Sequence, residues 1–86
     1  MTQKTKNMWL IGGDNCSLCD VASDVLDLAL IENQDVVVDI SYVNVKSTTL
    51  LFHLYGARIP VLLDTESDVA LYWPFELSQV QEFIRS

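Results

Sequence analysis

The sequence predicts an α/β domain of order β-α-β-α-β-β-α, with a four-stranded mixed sheet and three covering helices. Three observations lead there. Short apolar runs rich in β-branched residues alternate with segments whose apolar residues recur at helical spacing. The last two runs are separated only by Thr65-Glu66-Ser67-Asp68, which is too short for a crossover and fits a hairpin turn. Finally, 86 residues, 50% of them hydrophobic, suffice for one small core, so residues 1–86 are expected to form a single domain.

Each element has its own justification. Met8-Trp9-Leu10-Ile11 makes a short buried strand, closed by Gly12-Gly13. Asp14 and Asn15 are good N-caps, because their side-chain oxygens accept the unpaired amides of a first helical turn. Leu18, Val21, Ala22, Val25, Leu26 and Ala29 then form a helical stripe, while Asp20, Asp24 and Asp27 fall on a solvated face. Residues 36–45 are dense in β-branched side chains and predict a second strand. A strand, helix, strand start implies a parallel pair joined by a right-handed crossover. Ser47, Thr48 and Thr49 offer caps for a helix whose apolar face is Leu50, Leu51, Leu54 and Tyr55. Gly56 is expected to end that helix in the left-handed conformation. Residues 59–64 and 69–73 are the hairpin strands, and Pro74 stops the second. Leu77, Val80, Phe83 and Ile84 line a final helix.

Charge narrows the function classes. Twelve acidic residues against 5 basic ones give a formal charge of −7. Nucleic acid binding wants a basic patch to displace counterions, and anionic membrane surfaces want the same. The N-terminal Met1-Thr2-Gln3-Lys4-Thr5-Lys6 is basic, but the apolar run behind it stops at Gly12, shorter than a signal-peptide core. No segment reaches membrane-spanning length. A cytoplasmic protein is therefore expected, in a compartment where permanent disulfides are rare.

Against that setting stand the two cysteines, Cys16 and Cys19, one helical turn apart. Structural zinc needs four ligands, and beyond the pair the chain offers only His53, so a zinc site would have to be shared between two chains. A permanent staple would close too short a loop to constrain the unfolded chain much. A redox pair has positive support. Cys16 falls at the start of a predicted helix, where free amides and the helix dipole favour a thiolate. Cys19, one turn on, is placed to attack a mixed disulfide formed on Cys16. His53 sits in the middle of the second predicted helix, away from the pair, and is expected to be partly exposed.

Cys16-Ser17-Leu18-Cys19-Asp20, Tyr55-Gly56-Ala57-Arg58-Ile59-Pro60-Val61-Leu62 and Trp73-Pro74-Phe75 together resemble the glutaredoxin-like proteins of the thioredoxin fold, in particular short bacterial members with a C-x-x-C-D start. With the element order, the resemblance spans nearly the whole chain. It implies a cis-proline at Pro60 facing the cysteine pair, with Ile59 offering its backbone to an extended thiol substrate. It implies that Cys16 attacks and Cys19 resolves. Trp73 either flanks the substrate groove or packs in the core, and Arg58 either clamps a substrate carboxylate or is a surface charge. Glutathione-using relatives place Gly-Gly and an aspartate before the last helix, where this chain has Trp73-Pro74-Phe75-Glu76. No cofactor is expected, and glutathione has only Arg58 to meet its carboxylates.

The expected function is thus a monomeric dithiol oxidoreductase acting on disulfide-bearing proteins or small thiols. The alternative is a non-catalytic module that docks a protein in the same groove. Asp14 and Asp20 oppose extra negative charge at Cys16, which predicts a moderate reductant rather than a strong oxidant.

Overall fold

Alternation along the first strand, β1 (Lys6–Gly12), divides the interior in two. Met8 and Leu10 enter one core, while Trp9 and Ile11 go to the other side of the sheet. The computed structural model describes residues 5–86, and the part of the basic N-terminus before Thr5 lies outside the described residues. After β1 come α1 (Ser17–Glu32), β2 (Val38–Asn44), a 3-10 turn (Val45–Ser47) and α2 (Thr49–Tyr55). Then follow β3 (Val61–Asp64), β4 (Val69–Tyr72) and α3 (Leu77–Arg85). The strands lie side by side as β2-β1-β3-β4. β1 runs parallel to β2 and antiparallel to β3, and β3 and β4 form the antiparallel hairpin. The fold is the mixed α/β architecture that the sequence predicts.

One face of the sheet carries the larger core. Met8, Leu10 and Leu62 are covered there by Ala22, Leu26 and Ala29 of α1 and by Val80 and Ile84 of α3, with Phe75 filling the entry to α3. On the opposite face, Ile11, Val61 and Leu63 pack with Val45, and α2 contributes Leu51 and Tyr55. Burying a side chain of leucine size stabilises by about 1.5–3 kcal/mol, so the layer of α1 and α3 supplies most of the packing energy.

Several local expectations need correction. The N-cap of α1 is Cys16 itself, not Asp14 or Asn15, because Asn15 adopts a left-handed φ of 53° and the helix begins only after that turn. Within the α1 stripe, Leu18 and Val21 are exposed, since they precede the region where α3 closes over the helix. The second strand covers only Val38–Asn44, because Val45 leaves the sheet to start the 3-10 turn, capped by the Asn44 side chain. α2 is capped by Thr48 and leaves Leu50 and Leu54 exposed, so only half of its expected apolar face packs. Gly56 is right-handed, with φ −54°, and closes α2 by donating its N–H to the Phe52 carbonyl. Glycine suits that position for a steric reason instead: an added Cβ would stand 2.5 Å from the Phe52 carbonyl oxygen.

The remaining elements follow their sequence cues, except that β3 begins at Val61 rather than residue 59 and β4 ends at Tyr72 rather than residue 73, each next to a cis X–Pro bond. Asp64 Oδ1 accepts the amides of Glu66 and Ser67 in the hairpin turn, and Asp68 takes the left-handed conformation there. The Glu76 amide donates to Gln79 Oε1 at 2.7 Å and opens α3. At the other end of α3, Arg85 reaches back to Asp35 at 2.9 Å and to Asn33 Oδ1 at 3.2 Å, tying the helix to the turn between α1 and β2. Asp20, Asp24 and Asp27 are all exposed, as is His53.

Candidate active site

The site forms where β1 ends. Gly12 and Gly13 are there because two side chains approach their backbone closely. A Cβ on Gly12 would stand 3.1 Å from Cys19 Sγ, and one on Gly13 would stand 2.9 Å from Ile59 Cδ1. Asn15 then turns the chain into α1, and asparagine tolerates the left-handed region better than most side chains.

Cys16 caps α1 with its sulfur. Its Sγ accepts the Cys19 amide at 3.2 Å, and its carbonyl accepts the Asp20 amide at 3.3 Å. Cys16 and Cys19 are joined as a disulfide, with Cα atoms 5.2 Å apart and both residues partly exposed. The Cys16 sulfur thus already faces one helix N-terminal amide, a position where negative charge is stabilised. Asp14 and Asp20 are exposed on either side, and Asp14 Oδ1 accepts a 3.3 Å hydrogen bond from Asn44 Nδ2.

The Ile59–Pro60 peptide is cis, and Pro60 is fully buried. Ile59 reaches the loop before the cysteines through its contact with Gly13, and its backbone makes no hydrogen bond among the described residues. Trp73 donates its amide to the Pro60 carbonyl at 3.3 Å. Its ring packs edge-on against Phe75, with centroids 5.0 Å apart, and against the larger core. The Trp73–Pro74 peptide is also cis. Arg58 is exposed, lies 5.1 Å over the Tyr72 ring, and forms no ion pair among the described residues. Tyr55 stands behind that pair, and burial, helped by Tyr72 and Asp68, pushes its phenol up.

Of the six residues singled out in the sequence, Cys16, Cys19, Ile59 and Pro60 thus converge around Gly12-Gly13. Trp73 joins them through its backbone, and Arg58 lies at the rim of the β4 edge. Sequence reasoning missed the opposite flank. A cleft of about 340 Å³ opens beside Cys19, walled by Asp20 and Ser23 of α1, Tyr42 and Asn44 of β2, and Leu10 and Gly12 of β1. The Ser23 and Tyr42 hydroxyls are 3.4 Å apart across it. Only strand register reveals this flank, by setting Tyr42 opposite Leu10 and Asn44 opposite Gly12. Among the described residues no three His, Cys, Asp or Glu side chains gather as a metal-ligating set.

A four-stranded mixed sheet with a cysteine pair at the first helix N-terminus and a cis-proline beside it defines a thioredoxin-like fold. The model of the Glutaredoxin-like domain (DUF836) family matches residues 7–85, and the chain belongs to that family. Among solved structures, the structural-genomics target protein XcR50 from X. campestris is similar, at 28% identity and a TM-score of 0.74, over 91% of this chain and 95% of that one. Protein Ne2328 from Nitrosomonas europaea shares the fold at 18% identity and a TM-score of 0.75, over 96% of this chain and 95% of its own. No curated protein matches the chain. No helix among the described residues is long and apolar enough to cross a membrane.

Proposed function

We propose that the protein is a dithiol-disulfide oxidoreductase that reduces disulfides of proteins or small molecules. The observation that carries this reading is the cap of α1: the Cys16 sulfur already accepts a helix N-terminal amide, and its disulfide partner lies one turn away. In the reduced form the Cys16 thiolate attacks one sulfur of the substrate disulfide and forms a mixed disulfide, expelling the other substrate sulfur as a thiolate. Cys19 then loses its proton and attacks Cys16 Sγ. That step releases the second substrate sulfur as a thiolate and closes the Cys16–Cys19 bond, so two electrons pass to the substrate. The unpaired Ile59 backbone beside cis-Pro60 takes an extended substrate segment as an added strand.

The reading takes a reducing cytoplasm as its setting, where an opened pair is replenished. Glutathione is not its specific partner: the approach to α3, Trp73-Pro74-Phe75-Glu76, holds no glycine to admit a γ-glutamyl end. Activity on a glutathione mixed disulfide is therefore expected to be poor beside activity on a protein disulfide, and efficient, saturable deglutathionylation would refute that part.

Reduction of insulin disulfides by dithiothreitol tests the whole. The wild-type chain should accelerate it, Cys16→Ser should abolish the acceleration, and Cys19→Ser should leave a trapped mixed disulfide. A wild-type protein that gives no acceleration is a docking module and not an oxidoreductase.

A further inference from the structure

β2 is an outer strand of the sheet, with β1 on one side and no strand among the described residues on the other. Its register with β1 runs unbroken from Lys6↔Val38 to Gly12↔Asn44. The Lys6 amide bonds to the Val37 carbonyl, and in a parallel ladder that choice decides which peptide groups face outward. Val37, Asp39, Ser41 and Val43 point theirs at β1, whereas Val38, Ile40 and Tyr42 turn theirs to the open side. Those outward groups have no backbone partner among the described residues. We propose that this edge takes up an extended segment of a partner protein, rich in Lys or Arg, as a fifth strand.

Charge selects the occupant. From Asn7 to Val45, which supply most of β1 and all of α1 and β2, there are seven acidic residues and no Lys or Arg. Asp39 is exposed on the strand itself. Asp20 borders Tyr42 and Asn44 across the cleft between α1 and β2, and Asp27 follows Ser23 by one turn of α1. Asp14 is hydrogen-bonded to Asn44 at the end of the strand. Lys6, opposite Val38, stands only at the start of the ladder. Carboxylates along an open edge keep a second copy away, because two such edges would set like charges against each other.

A segment carrying cations meets the opposite sign here, and its main chain finds free donors and acceptors. Tyr42, 63% exposed, adds a ring face for one of the cations. The strand holds no proline and no bulge, so its backbone is open to pairing. Because β2 runs parallel to β1, Asn44 lies opposite Gly12, and an added strand reaches the level of Cys19. The contact is separate from the Ile59 backbone, which leads into β3 on the other side of β1, and it requires no thiol chemistry.

The test uses oxidised, isotope-labelled wild-type protein and three short capped peptides without cysteine. The first alternates lysine with valine. The second is the same peptide with every backbone amide N-methylated, and the third has glutamate in place of lysine. Amide signals and hydrogen exchange are followed at low salt, where exposed charges are least screened. The lysine peptide should shift the Val38, Ile40 and Tyr42 amides and slow exchange at Ile40 and Tyr42 about tenfold at saturation. The methylated and glutamate peptides should each bind about tenfold more weakly. Asp20→Asn with Asp39→Asn should weaken the lysine peptide about threefold. Equal binding of the methylated peptide would leave charge alone and no added strand. That result, equal binding of the glutamate peptide, shifts centred on β4, or an affinity untouched by the double substitution would each overturn the proposal. No thiol reacts in this measurement, so its failure is distinguishable from failure of the insulin assay.

Discussion

Cys16 does at its own position what Asp14 or Asn15 would do in an ordinary helix start: its side chain accepts a first-turn amide. Because the accepting atom is the reactive sulfur, capping and activation become one interaction. Cys19 is positioned differently, with its sulfur lying over the bare Cα of Gly12. That contact gives the two glycines different expected tolerances. Gly12→Ala puts a methyl group 3.1 Å from Cys19 Sγ and should slow closure of the Cys16–Cys19 disulfide in the reduced protein, followed by the loss of free thiol. Gly13→Ala meets only Ile59 Cδ1, the end of a flexible side chain, and should leave closure nearly unchanged. Equal slowing by the two substitutions would show that loop conformation, rather than the sulfur contact, sets the rate.

The helices show which parts of a periodic pattern carry weight. Leu18 and Leu26 both belong to the predicted stripe of α1, yet Leu26 is fully buried and Leu18 is 49% exposed. Leu26→Ala should cost about 2–5 kcal/mol in urea unfolding, while Leu18→Ala should stay within about 0.5 kcal/mol. Comparable losses would place the end of the core one turn nearer the cysteines. At the far end, Arg85 holds the Asp35 carboxyl below its ordinary range, chiefly by hydrogen bonding. The contribution of that exposed pair is full above the ordinary carboxylate range and is lost as pH falls through the depressed value. Asp35→Asn should therefore cost a little stability near neutral pH and nothing once pH has fallen below the depressed value, which flattens a small part of the acid limb; an equal loss at neutral and acid pH would contradict the ion-pair account.

Element order and the thiol spacing were legible because they rest on local signals: stripes, caps and a short polar turn. The Tyr42–Asn44 flank was not legible, since its closeness to Cys19 depends on which residue of β2 faces which residue of β1. Nor was the right-handed Gly56, where a crowded Phe52 carbonyl, and not backbone freedom, is the reason for glycine.

At the scale of the whole molecule, the charge of −7 is unevenly spread: the segment from Val45 to Leu63 has no acidic residue, while Asp14 and Asp20 flank the cysteines. The aspartates oppose a thiolate that the helix terminus favours, so neither influence dominates. A reduction potential between about −200 and −270 mV is expected, and Asp14→Asn with Asp20→Asn should make the pair more oxidising. A wild-type value near about −120 mV would show that the aspartates do not control it. All of this depends on which sulfur is the nucleophile, and competitive alkylation of the reduced protein near neutral pH, resolved by mass spectrometry, measures that directly. Cys16 should be labelled about tenfold or more faster than Cys19; equal labelling, or faster labelling of Cys19, would contradict the assignment.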